Sequence, residues 1–142
     1  DIPAFKLYLV DVGLLAAMTD LDAKTLLMGN AIFTEFKGAL TEQYICQQLY
    51  AELDMVPYYW SAEASSGEVD FVLQYRGQVV PLEVKAEENL NAKSLKSFVN
   101  TYQLAYGVRT SMSDYREQEK LVNLPLYAIS LLWEVCDKMN EA

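Results

Sequence analysis

Histidine is missing from this 142-residue chain. Its absence removes Ser-His-Asp and Cys-His catalysis, together with every His-ligated zinc site. Glycine is sparse and scattered: none of the six opens a GxxxxGK pattern, so no loop here cradles a nucleoside triphosphate. Two cysteines, Cys46 and Cys136, lie in segments of helical periodicity without paired spacing. They read as reduced, buried thiols, which points to a cytoplasmic protein. No apolar run approaches the roughly 18 residues of a membrane span, and no charged leader precedes an apolar core. The chain opens without a methionine and reads as a fragment of a longer one. Positive charge is scarce too, with 11 Lys and Arg against 20 Asp and Glu and a net charge of −9. Such a chain grips nucleic acid poorly, because that affinity comes from lysine and arginine displacing counterions.

What is present is an ordinary globular balance, 52% hydrophobic and 22% charged, in a length that buries a real core as one domain over residues 1–142. No repeat, low-complexity tract or linker divides it, and residues 1–30 read as an N-terminal scaffold segment. Alternating Phe5, Leu7 and Leu9 predict a strand over Ala4 to Val10, followed by a short helix capped by Asp11 and running through Met18. A second helix is expected near Ala23 to Met28, ended by Gly29-Asn30. Ile32 to Leu53 predicts a long helix with Phe33, Phe36, Leu40 and Tyr44 on one face. Its other stripe, Ala39, Ile45, Cys46 and Leu49, surrounds Glu42. That acid is either favoured by the helix dipole at the edge of the stripe or aimed into a site.

Tyr58-Tyr59-Trp60 reads as a first strand whose aromatics serve core packing in preference to base stacking. Glu63 to Gly67 is a polar loop. Downstream, a helix is expected from Asn91 or Ala92 to Tyr102, with Leu95, Phe98, Val99 and Tyr102 inward and Lys93 and Lys96 on its polar side. Those lysines either keep the helix soluble or touch a phosphate backbone. A strand over Leu104 to Thr110, a charged loop over Ser111 to Val122 and an amphipathic helix over Ser130 to Met139 complete the chain. The order predicts an α/β domain with a mixed central sheet covered by helices.

The most informative stretch is GEVDFVLQYRGQVVPLEVK, Gly67 to Lys85. Alternation marks strands through Val69-Phe71-Leu73 and Val80-Leu82-Val84, joined by a turn at Arg76-Gly77. Glu68, Asp70 and Val72 then face away from the apolar set, and Glu83 shares a face with Lys85. Side by side, Asp70, Glu83 and Lys85 converge. Two close carboxylates repel unless a cation lies between them, and Mg²⁺ is commonly held by one or two carboxylates with water and phosphate completing its shell. Lys85 would then hold a water or neutralise charge on a phosphoryl group. A solvated strand face carrying a cross-strand ion pair would show the same residues.

Asp70 followed by Glu83-Val84-Lys85 resembles the PD-(D/E)XK signature of the restriction-endonuclease-like superfamily, with Val69 where proline usually precedes the first acid. GEVDFVL and PLEVK are more closely similar to a nuclease-like domain of unknown function that closes a family of bacterial and archaeal AAA-type ATPases. FKLYLVDVGLL (Phe5 to Leu15), KGALTEQYI (Lys37 to Ile45), YYW (Tyr58 to Trp60) and NLPLYAIS (Asn123 to Ser130) share that similarity, which covers nearly the whole chain. The resemblance implies a restriction-endonuclease-like core and Mg²⁺- or Mn²⁺-dependent hydrolysis of DNA phosphodiesters. Asp70, Glu83 and the Val84 carbonyl would bind metal, Lys85 would orient water, and Glu42 would add a supporting carboxylate. An ATPase module upstream would bind ATP, and a basic partner module would supply the grip on DNA. Two readings of another kind stand beside it: a non-catalytic nuclease-fold module that recognises DNA or a protein partner, and a structural dimerisation domain.

Overall fold

The computed structural model describes residues 5–19, 34–62, 67–87 and 91–141. The helix expected at Ala23 to Met28, its Gly29-Asn30 cap, Phe33 and most of the Glu63 to Gly67 loop lie outside them. The described elements are α1 (Val12–Met18), α2 (Thr34–Leu53), β1 (Tyr58–Ser61), β2 (Glu68–Tyr75), β3 (Gln78–Val84), α3 (Lys93–Thr101), β4 (Gly107–Ser111), β5 (Arg116–Gln118), β6 (Leu121–Pro125), a 3₁₀ turn (Leu126–Leu131) and α4 (Leu132–Glu141). Among the described residues the strands form one mixed sheet in the order β1-β2-β3-β4-β6-β5. Pairing is antiparallel from β1 to β3 and between β5 and β6, and parallel across β3-β4-β6. The chain is therefore an α/β domain.

The β2–β3 hairpin forms as its alternation predicts. Phe71 pairs with Leu82 and Tyr75 with Gln78, and Val69, Phe71 and Leu73 are buried. Arg76 and Gly77 both have positive φ, the two-residue turn whose twist matches antiparallel strands. Phe71, Leu82, Val108 and Val122 form one face of the sheet by register. They pack with Ile45 and Leu49 of α2 and Leu132 and Val135 of α4 in the main core. Gly107 faces the other way, and a side chain there would meet Val99 Cγ2 at 2.8 Å and Leu95 Cδ1 at 3.0 Å. Glycine thus lets α3 lie directly against β4.

Three sequence expectations change, and α2 buries the second of the two stripes read on it. Residues 5–9 form no strand, because Leu9 gives its N–H to Gln43 Oε1 (2.8 Å) and its carbonyl accepts from Gln43 Nε2 (2.7 Å). Further along, the Val12 N–H is likewise taken by a glutamine of α2, Gln47 Oε1 (2.9 Å). The segment is a strap along α2. Its apolar side faces out, with Phe5 71% and Leu7 82% exposed, while Lys6 and Tyr8 turn inward. On α2, the stripe of Ile45, Cys46 and Leu49 is the buried one, and Leu40 and Tyr44 are half-buried. The charged loop after β4 folds into the β5–β6 hairpin, whose short edge strand is exposed throughout. Tyr102, expected inward, caps the end of α3 and is about half exposed while packing against Trp60 and Phe98.

Candidate functional site

Four acids and two lysines gather where β2 and β3 diverge. Past the Phe71–Leu82 pair the ladder gives way to a side-chain contact: Asp70 Oδ2 accepts the Val84 N–H at 2.7 Å. This hydrogen bond holds Asp70 at the end of β3 beside Glu83. One residue beyond β3, Lys85 Nζ lies 2.6 Å from Glu83 Oε1, and its N–H bonds to the Thr110 carbonyl at 2.8 Å. The expected pairing of Glu83 with Lys85 on one face is thus present. Glu83 is buried, and its Oε2 has no hydrogen-bond partner.

Across the cluster, Lys6 reaches in from the strap. Its ammonium lies 2.9 Å from Glu42 Oε1, 2.5 Å from Glu68 Oε1 and 3.8 Å from Asp70 Oδ1. The Tyr8 hydroxyl donates to the same Glu42 oxygen. Glu42 therefore faces the site, and it does so through a lysine and a tyrosine. The burial of Lys6 disfavours its charge, but hydrogen bonds to Glu68 and Glu42 outweigh that and leave its pKa raised. Tyr8 is pushed up by burial and by its bond to Glu42.

Asp70 carries the sum of these influences. Burial raises its pKa, the Val84 N–H opposes this, Glu42 raises it, Lys6 opposes, and Glu83 raises it again, for a result of about 6. Burial and neighbouring acids thus hold this carboxyl well above the usual carboxylate range, a perturbation that clusters at functional sites.

The sheet adds a cation that periodicity does not single out. Glu83 pairs in register with Arg109, and Arg109 with Asn123. Arg109 is buried, donates from Nε to Asn123 Oδ1 at 3.0 Å and feels the charge of Glu83. Asn123 is fixed in turn by Ser111 Oγ (2.8 Å) and by the carbonyls of Ser113 and Asp114. Glu83 thus lies between Lys85 and a buried arginine. Arg109 lies in a strand, Gly107–Ser111, that is buried throughout, and a buried guanidinium requires an acidic or amide partner. For Lys6 and Tyr8 the signal was charge balance: three acids assigned to one site need more than one lysine.

Two cavities flank the cluster. One of about 750 Å³ is lined by Lys6, Tyr8, Tyr50, Tyr59, Asp70 and Phe71, among others. The second, about 490 Å³, is lined by Gly38, Glu83, Lys85, Asn91, Lys93 and Ser94 among others. Asp70 and Glu83 therefore open to different cavities. Among the described residues no three acids or cysteines close on a point as a cage for an ion. Mg²⁺ needs no such cage, since one or two carboxylates suffice when water and phosphate complete its octahedron. Asp70 and Glu83 are hard oxygen donors of that kind, and the partnerless Glu83 Oε2 is the atom such an ion would satisfy.

Fold and cluster together define an α/β domain with a carboxylate–lysine site at the opening of a hairpin. The sequence model of a domain of unknown function, DUF4143, matches residues 37–129, and the chain belongs to that family. The match includes Glu42, Asp70, Glu83 and Lys85 and leaves Lys6 and Tyr8 outside it. A comparison with curated proteins found no match.

Proposed function

We propose that this chain is a metal-dependent phosphodiesterase domain with a restriction-endonuclease-like core, acting on DNA in the service of an ATPase module of the same polypeptide. The order α2-β1-β2-β3-α3-β4 supports the core. One observation carries the chemistry: Glu83 keeps one buried, partnerless oxygen while its other oxygen pairs with Lys85.

Asp70, Glu83 and the Val84 carbonyl would hold Mg²⁺ or Mn²⁺. Such an ion, when bound, polarises a phosphoryl oxygen and lowers the pKa of water. Lys85, half open to its cavity, holds the attacking water and neutralises charge that develops on the phosphoryl oxygens. Glu42, fixed by Tyr8 and Lys6, sets the position of the Asp70 side of the site. The test is calorimetric titration of Mn²⁺ into the parent chain, Asp70→Asn, Glu83→Gln and Lys85→Met, with plasmid cleavage measured in parallel. Binding in the parent and Lys85→Met, lost in the other two, with cleavage only in the parent, is the expected result. Mn²⁺ binding that is indifferent to both carboxylate substitutions sinks the reading.

Two observations favour a second reading. Lys6 already pairs with Glu42, Glu68 and Asp70, and the net charge is −9. A nuclease fold kept as a non-catalytic interaction module would show this. Stable partner binding with neither Mn²⁺ binding nor cleavage decides for it.

A further inference from the structure

The scarce positive charge of this chain is not spread evenly. A third cavity of about 390 Å³ is lined, among the described residues, by Lys93, Lys96, Arg109 and Lys120, against one carboxylate, Glu119, with Asn91, Asn100 and Gln118 amides between them. Asn91 and Lys93 also line the cavity of Glu83 and Lys85. The two are therefore adjoining parts of one groove. We propose that this groove binds the phosphates of a nucleic-acid strand on one side of the phosphodiester presented to Glu83 and Lys85. The substrate class rests on the reading of that pair as a phosphodiester site.

The wall of the groove is built, not incidental. Lys93 and Lys96 stand three residues apart on α3, so they share a face. Leu95 and Val99 of the same helix are buried against Gly107, where any side chain would collide. Lys120 occupies the β5–β6 turn, and its carbonyl accepts the Gly107 N–H at 2.8 Å. One glycine thus anchors both the helix and the turn that carry the lysines. Glu119 is 85% exposed and 3.9 Å from Lys96, a pair that water and salt weaken readily. Among the described residues the lining holds cations and amides but no aromatic ring, which suits phosphates and sugars and offers no platform for bases. A strand of any sequence meets these requirements. Continuity with the second cavity favours a polymer over a small anion.

The test is fluorescence anisotropy of a labelled thymidine 20-mer in EDTA, so that neither metal nor turnover is needed. The full chain is compared with Lys96→Gln/Lys120→Gln and with Arg76→Gln/Lys138→Gln, which removes the same charge elsewhere. The groove variant is expected to bind about tenfold more weakly at about 50 mM salt, with the slope of log affinity against log salt shallower by about 1.4. The other double variant should stay near the parent. Equal binding by the two double variants, or no binding by the parent, overturns the proposal even if cleavage is observed. Groove-dependent binding without cleavage in Mn²⁺ leaves it standing and removes the catalytic reading instead. Displacement of the 20-mer by equimolar inorganic phosphate would show a small-anion site and overturn the strand assignment.

Discussion

Lys6 Nζ lies 2.9 Å from Glu42 Oε1, joining residues 36 apart in the chain. The same ammonium stands between Glu42 and Asp70, where a divalent ion drawn to Asp70 meets its repulsion. Lys6→Met is expected to bind Mn²⁺ about tenfold more tightly, the effect of about 1.4 kcal/mol of repulsion removed. Titration calorimetry of the two chains decides it, and weaker binding in the variant would make Lys6 a support for the ion.

Asp70 gives the site a pH dependence of definite sign. Its carboxyl group titrates near 6 in the fold and near 3.8 in the unfolded chain, so between those values the folded state holds more protons. Stability therefore falls as pH rises from about 4 to 6, by an amount on the order of 3 kcal/mol. Asp70→Asn should flatten that fall and raise the melting temperature at pH 8 by roughly 10 °C, with little change at pH 4. Metal affinity of the parent should climb through the same interval, because the ion displaces the proton.

Gln43 is the clasp of the strap. Gln43→Ala leaves the Leu9 N–H and carbonyl without protein partners, costing about 1–3 kcal/mol of local stability. Hydrogen exchange should then quicken at Leu9 and Val12 while β2, β3 and β4 keep their protection. Uniform loss of protection would mean that the strap is integral to the whole domain.

Gly107→Ala places a methyl group 2.8 Å from Val99 Cγ2. Denaturant titration should show a loss of about 1–3 kcal/mol. Because α3 and the β5–β6 turn both shift, oligonucleotide binding should weaken in the folded variant more than Mn²⁺ binding does.

The hairpin was legible because a two-residue period with a glycine turn admits few alternatives, and the same period placed Glu83 and Lys85 on one face. Cys46 and Ile45 marked the buried stripe of α2, and with it the inward face of Glu42. The strap was misread for a physical reason: Phe5, Leu7 and Leu9 alternate as a strand does, yet two glutamine side chains of α2 satisfy the backbone that a sheet would have paired. Alternation says which residues share a side, not which side is buried. The β5–β6 hairpin escaped because an edge strand of Arg, Glu and Gln has no apolar face to reveal it. Arg109 was visible as a strand residue, but its role depends on a parallel neighbour, and parallel register leaves no mark in local sequence.

The hydrogen bonds of the strap span 34 to 36 residues of chain, from Lys6, Tyr8 and Leu9 to Glu42 and Gln43, whereas β2 and β3 meet across a two-residue turn. Closing the longer loops costs more chain entropy and takes longer. The hairpin carrying Asp70 and Glu83 is therefore expected to assemble before Lys6 arrives, and a chain that is still folding passes through a stage in which its acids are gathered but not yet neutralised. Divalent ions present at that stage compete with the chain's own ammonium for the same carboxylates, so the rate of the final folding step becomes a measure of the site.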